Sequence, residues 1–113
     1  MISVTKCFSF DSAHFLPDYD GKCKHIHGHT FSLEITVGAP AVNSKTGMII
    51  DFADLKEIVN EKIIDVLDHN LLNSLSTLPF SKNPTAENML SWMALVLMDE
   101  LHSLNKFLKP EKR

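Results

Sequence analysis

The sequence predicts a single α+β domain. Two early segments place apolar residues at every second position, and two later segments repeat them every three or four. The composition agrees, because 113 residues with 44% hydrophobic and 22% charged side chains suit one globular core rather than a disordered tail or several domains.

The first alternation sets Ile2, Val4, Phe8 and Phe10 against Ser3, Thr5, Ser9 and Asp11, the period of a half-buried strand with Lys6 as its one break. A cleaner one sets Phe31, Leu33, Ile35 and Val37 against Thr30, Ser32, Glu34 and Thr36. Between them, Pro17-Asp18-Tyr19-Asp20-Gly21 is a loop of turn-forming residues. Asn43-Ser44-Lys45-Thr46-Gly47 reads as a further turn, and residues 48–50 as a short extended piece.

A helix follows, with Asp51 or Asp54 available to cap it and Asp54 and Glu57 at capping-box spacing. Its apolar stripe is Leu55, Ile58, Val59, Ile63, Val66 and Leu67, and it ends near Asp68-His69-Asn70. Pro79 and Pro84 bracket a loop. Thr85 then caps a second helix whose expected inner stripe is Leu90, Met93, Ala94, Leu97, Leu101, Leu104 and Leu108, with Pro110 as its stop. A lone pair of strands is marginal in water and its edges invite pairing, so either chain beyond Arg113 or other subunits should complete the sheet.

Charge removes several function classes. Eleven basic against fourteen acidic residues leave a net charge of −3 and a pI near 6.0, with no general attraction for nucleic acid or an anionic membrane. The longest apolar run, Trp92 to Met98, is seven residues, against roughly 20 for a membrane span. The N-terminus reads as a strand without the apolar block of a signal peptide, so a cytoplasmic location is expected. Cys7 and Cys23 are too few for a disulfide scaffold, which favours a reducing compartment or a chemical role.

Four of the six histidines (His14, His25, His27, His29) fall within sixteen residues. His27 and His29 share the parity of Phe31 and Leu33, and strand geometry puts such alternate side chains on one face about 6.6 Å apart. Gly28 between them leaves room for close approach. His14 has the parity of Phe8 and Phe10, so in a hairpin without a bulge it reaches the same point. Three neutral imidazoles suit Zn2+ with one position open; the bland alternative is a set of surface or hydrogen-bonded histidines. Cys23, four residues before His27, admits two readings: the fourth ligand of a closed His3Cys site, or an activated thiolate at an open one. Asp68-His69 is either a charged helix end or the carboxylate and base of a proton-transfer set with Cys23, although neighbouring side chains on a helix diverge.

Taken together, Phe10-Asp11-Ser12-Ala13-His14, Cys23-x3-His27-Gly28-His29, Gly47-Met48-Ile49-Ile50-Asp51-Phe52, Asp68-His69 and Pro84-Thr85-Ala86-Glu87-Asn88 resemble, in order and spacing, the 6-pyruvoyltetrahydropterin synthase superfamily. The three residues between Cys23 and His27 resemble its 6-carboxy-5,6,7,8-tetrahydropterin synthases of queuosine biosynthesis, since the biopterin-pathway members have a longer gap. A further branch has glutamate where this chain has Cys23.

The resemblance implies a zinc-dependent lyase in which His14, His27 and His29 hold the metal. Cys23 acts as thiolate on 7,8-dihydroneopterin triphosphate, His69 assisted by Asp68 is the partner acid or base, and Thr85 and Glu87 contact the pterin. The implied products are 6-carboxytetrahydropterin, acetaldehyde and triphosphate, with Lys22 and Lys24 as candidates near the phosphates. It further implies the tunnelling fold, an antiparallel sheet with two helices on one face, assembled as a homo-oligomer, commonly a hexamer, with sites between subunits. Family members continue past the second helix into two strands carrying a glutamate that anchors the pterin, so residues 1–113 read as one domain truncated at its C-terminal end. Two alternatives stand beside this reading: a 6-pyruvoyltetrahydropterin synthase, or a non-catalytic His3Cys zinc module.

Overall fold

The computed structural model describes the backbone of residues 1–108 and the side chains of residues 1–101. Strands β1 (Ile2–His14) and β2 (His27–Ala39) pair antiparallel in one unbroken register from Ile2 opposite Ala39 to His14 opposite His27. Even positions of β1 therefore face odd positions of β2, and the two apolar sets share one side of the sheet. Phe10, Leu33 and Ile35 are buried there, with Phe10 and Phe31 stacked at 5.0 Å, while Ser9, Asp11, Ser32 and Glu34 on the other side are exposed. Lys6, the break in the pattern, stays half-buried with its ammonium 5.8 Å from the Phe52 ring and 5.9 Å from that of Phe8, a cation–π arrangement that keeps the charge at the surface.

Helix α1 (Phe52–Val59) is capped by Asp51, whose carboxylate accepts from the Ala53 N–H at 2.8 Å, which decides between the two candidate caps. A wider π segment (Asn60–Ile64) follows and α2 (Asp65–Leu67) completes the rod. The buried residues Leu55, Val59, Ile63 and Leu67 are spaced by four throughout. On an ideal α-helix that spacing drifts about 40° per step, and the π turn takes up the drift and keeps all four on the sheet. The expected extended piece at 48–50 is absent. Asn43 instead closes the loop, its side chain accepting from the Lys45 and Thr46 N–H groups and its backbone pairing with Met48 and Gly47.

Helix α3 (Ala86–Leu108) starts at Thr85, whose hydroxyl accepts from the Asn88 N–H at 3.1 Å as a cap should. Its buried stripe is Met89, Met93 and Leu97, flanked by half-buried Trp92 and Leu101. Leu90 and Ala94, expected inside, are exposed. The helix is apolar nearly all round between Met89 and Met98, so periodicity alone could not choose the phase. Leu104, Leu108 and Pro110 lie outside the residues whose side chains are described.

One core cluster joins Phe10, Leu33 and Ile35 of the sheet to residues of α1, the π segment, α2 and α3, so the helices share one face of the sheet in an α+β fold. Part of the free edge of β1 is covered by residues 68–71. The Asp11 and Ala13 backbones bond to that segment, and Ala13 bridges Leu71 in parallel. Among the described residues no helix is long and apolar enough to cross a membrane.

Candidate functional site

At the loop end of the hairpin the inner face of the sheet changes from hydrocarbon to imidazole. His14 faces His27 directly, and His29 lies one inner-face position further along β2, opposite Ser12. The three rings stand 4.6 to 5.2 Å apart, and one nitrogen from each lies within 4.8 Å of the others. Phe31 floors the group, 5.7 Å from His14 and 5.4 Å from His29.

Two of these rings are held through Nδ1. His14 Nδ1 donates to the Pro84 carbonyl at 2.8 Å, and His27 Nδ1 donates to the His25 carbonyl at 2.7 Å. A carbonyl can only accept, so each bond fixes the tautomer and leaves Nε2 with the lone pair. His14 is 6% exposed, and that burial is the main cause that lowers its pKa below 6.5, helped by the other two histidines and opposed by the Pro84 bond. A neutral imidazole is the form a metal needs. Tetrahedral zinc with bonds near 2.0 to 2.1 Å asks for nitrogens about 3.3 Å apart, within reach of small ring rotations. The donor set fits Zn2+. Among the described residues it contains no cysteine, carboxylate or fourth histidine.

Cys23 sits half-buried and unpaired by disulfide on a single 3-10 turn, Lys22–Lys24, outside the histidine group. Its carbonyl accepts from the Leu16 N–H, tying the turn back to the chain leaving β1, and Lys22 and Lys24 on either side are exposed. Asn73 holds the same chain from the other side, bonding both the N–H and the carbonyl of Phe15.

The Asp68-His69 pair departs from helical geometry. α2 stops at Leu67, Asp68 is extended and His69 has φ 58, a left-handed conformation uncommon for a residue with a side chain. The side chains consequently meet, with His69 Nδ1 donating to Asp68 Oδ2 at 2.9 Å, where two residues of a continuing helix would diverge. Asp68 Oδ1 also accepts from the Asp11 N–H, the largest of the causes holding its pKa below 3.8. The bond to Asp68 and its charge raise His69 above 6.5. Neither ring nor carboxylate is sealed from water; the His69 side chain is 77% exposed.

An open cleft of about 520 Å³ is lined by His29, Gly28 and Thr30 of β2, Asp11, Ser12 and Ala13 of β1, and His69 and Asn70. Thr85 and Glu87 belong to the start of α3, which the His14 bond to Pro84 brings against the histidines; Glu87 is exposed there. Several contributors have no signal in the sequence: the Pro84 and His25 carbonyls, the Asn73 clamp, and Ser12, whose buried hydroxyl donates to the Leu67 carbonyl at the end of α2. Backbone carbonyls exist at every position, and only the fold says which are near a ring.

The fold and site thus define a class: a two-layer α+β domain presenting three converging histidines beside an Asp–His pair. The 6-pyruvoyl tetrahydropterin synthase family profile matches residues 3–109, and the chain belongs to that family. It is 46% identical over 71 residues to 6-carboxy-5,6,7,8-tetrahydropterin synthase of Haemophilus influenzae, a match that spans 61% of this chain and 50% of that protein. A protein of the same description from Synechocystis is 37% identical over 93 residues, 80% of this chain and 70% of its own. The structure of Caenorhabditis elegans 6-pyruvoyl tetrahydropterin synthase superposes with a TM-score of 0.75 at 25% identity, covering 87% of this chain and 77% of that one. The chain thus spans about half the length of the first of these relatives.

Proposed function

We propose that this chain acts as a 6-carboxy-5,6,7,8-tetrahydropterin synthase, converting 7,8-dihydroneopterin triphosphate and one water to 6-carboxytetrahydropterin, acetaldehyde and triphosphate in queuosine biosynthesis. The observation that supports it most is the convergence of three imidazoles, two of them with fixed tautomers, at the end of the sheet where His29 and the Asp68-bonded His69 line one cleft. In this reading His14, His27 and His29 hold Zn2+. When bound, the metal supplies Lewis-acid polarisation of the substrate's side-chain oxygens.

The protein's own groups do the rest. Cys23, as thiolate, takes a proton from the substrate side chain. His69 delivers or receives the partnering proton at its free Nε2, since Nδ1 is engaged by Asp68, whose charge stabilises the imidazolium. Thr85 and Glu87 receive the pterin at the start of α3, the carboxylate accepting paired N–H bonds from the ring. Lys22 and Lys24 lie in the loop that would face the phosphates. Assembly into a homo-oligomer supplies the strands that a two-stranded sheet lacks and lets His69 work with Cys23 of a neighbouring subunit. The protein works in the cytoplasm, and residues 1–113 belong to a single domain of this family.

Incubating zinc-loaded protein with 7,8-dihydroneopterin triphosphate and weighing the product tests this, with Cys23→Ala as control. A Cys23-dependent product of the mass of 6-carboxytetrahydropterin is expected. A 6-pyruvoyl product would replace the assignment with the sister activity. Zinc binding without turnover, with Cys23 protected from thiol reagents, would favour a closed His3Cys module.

A further inference from the structure

Asp11 has no part in the chemistry above, yet it contacts both residues of the pair that does. It stands opposite Thr30 in the ladder. In an antiparallel sheet the backbone groups of alternate residues point away from the partner strand. Here the Asp11 N–H donates to Asp68 Oδ1 at 2.8 Å, and the Asp11 carbonyl accepts from the His69 N–H at 2.6 Å. The Asp11 carboxylate turns onto the outer face of the sheet, where it accepts from the Thr30 hydroxyl. Asp11, Thr30, His29 and His69 then line the same cleft.

The two backbone bonds explain why a strand is needed at this place, but any residue would supply them. An aspartate adds two things that others lack: an acceptor locked by Thr30 across the hairpin, and a second negative charge near His69. We propose that Asp11 is a positioning residue for His69: its backbone holds the Asp68–His69 turn against β1, and its carboxylate, anchored by Thr30, shares the cleft wall with the imidazole. The role rests on the proposed pterin chemistry. The charged groups beside His69 come from two segments, Asp68 next to it and Asp11 on β1. Asp68 orients the ring through Nδ1. The Asp11 charge acts in the same direction as that of Asp68, favouring the imidazolium, although it ranks behind it.

The test compares the unmodified protein with Asp11→Asn, which keeps shape and loses charge, and Thr30→Val, which keeps charge and loses the anchor. Histidine titrations are followed by NMR, with the His69 signal assigned by its loss in His69→Gln. Asp11→Asn is expected to move the His69 midpoint to lower pH, and to lower kcat roughly tenfold with KM within about twofold. Thr30→Val is expected to reduce kcat in the same direction by less. An unchanged His69 midpoint in Asp11→Asn, while Asp68→Asn shifts it, would overturn the proposal. The NMR readout needs no turnover, so a wild-type protein that makes no pterin product would count against the proposed function and leave the Asp11 result to be judged by itself.

Discussion

His14 is buried against the entry to α3, whereas His69 stands exposed beyond α2, and the two imidazoles hold their protons in opposite ways. Burial and two neighbouring histidines push His14 toward the neutral form that a cation requires. Asp68 pulls His69 toward the charged form that donates a proton. The same side chain becomes a ligand candidate or an acid according to what stands next to it: a carbonyl and two imidazoles in one case, a carboxylate in the other.

The sharpest way to break this comparison is His14→Ala. It removes a donor and leaves the Pro84 carbonyl without its partner, so zinc affinity should fall at least about 100-fold and stability by roughly 1–3 kcal/mol. Competitive chelator titration and urea unfolding read the two effects; undiminished affinity would mean that the trio is not the metal site. Next in size is Asp68→Asn, which keeps the volume and removes the charge. Turnover should drop roughly 10- to 100-fold, and the limb of the pH profile assigned to His69 should move to lower pH.

Acid and alkali should separate the two regions. The folded pKa of His69 is raised, so its pairing contributes fully below its unfolded value of 6.5 and is lost as pH rises through the higher folded value. The folded pKa of Asp68 is lowered, so its contribution is present above 3.8 and is lost as pH falls through the lower folded value. Its window is thus bounded on the alkaline side by His69. The trio behaves in the reverse sense, since protons compete with metal for imidazole and zinc affinity should fall on acidification. Zinc affinity and the His69 NMR titration, measured across the same pH series, check both. The smallest effect is expected from Thr85→Ala, about 1 kcal/mol from loss of the α3 cap, with zinc affinity little changed. A large loss of affinity would show that the cap sets the Pro84 carbonyl that holds His14.

Some of this was legible in the chain and some was not. The alternations around Phe8–Phe10 and Phe31–Val37 located both strands, and their parity brought His14, His27 and His29 to one face because side chains repeat with period two in an unbulged ladder. The α3 stripe is legible only in part: Met93 and Leu97 are buried as their spacing predicts, but Leu90 and Ala94 lie outside, because a helix apolar on most sides buries whichever stripe its neighbours and cap select. The direct Asp68–His69 bond was also hidden. It depends on the helix ending one residue earlier and on a positive φ at a histidine, a conformation sustained by the Asp11 backbone some 57 residues away in sequence.

By itself, the sequence determined the α+β class, the two strands, the Thr85 cap and which histidines could converge, since all of these follow from local periodicity and side-chain chemistry. Tertiary structure alone decided which carbonyls hold the rings, how Asp68 meets His69 and why Asp11 stands behind them. Those choices are made by backbone groups, which every residue carries, and only the packing of β1 against the end of α2 and the start of α3 brings particular ones within hydrogen-bond reach.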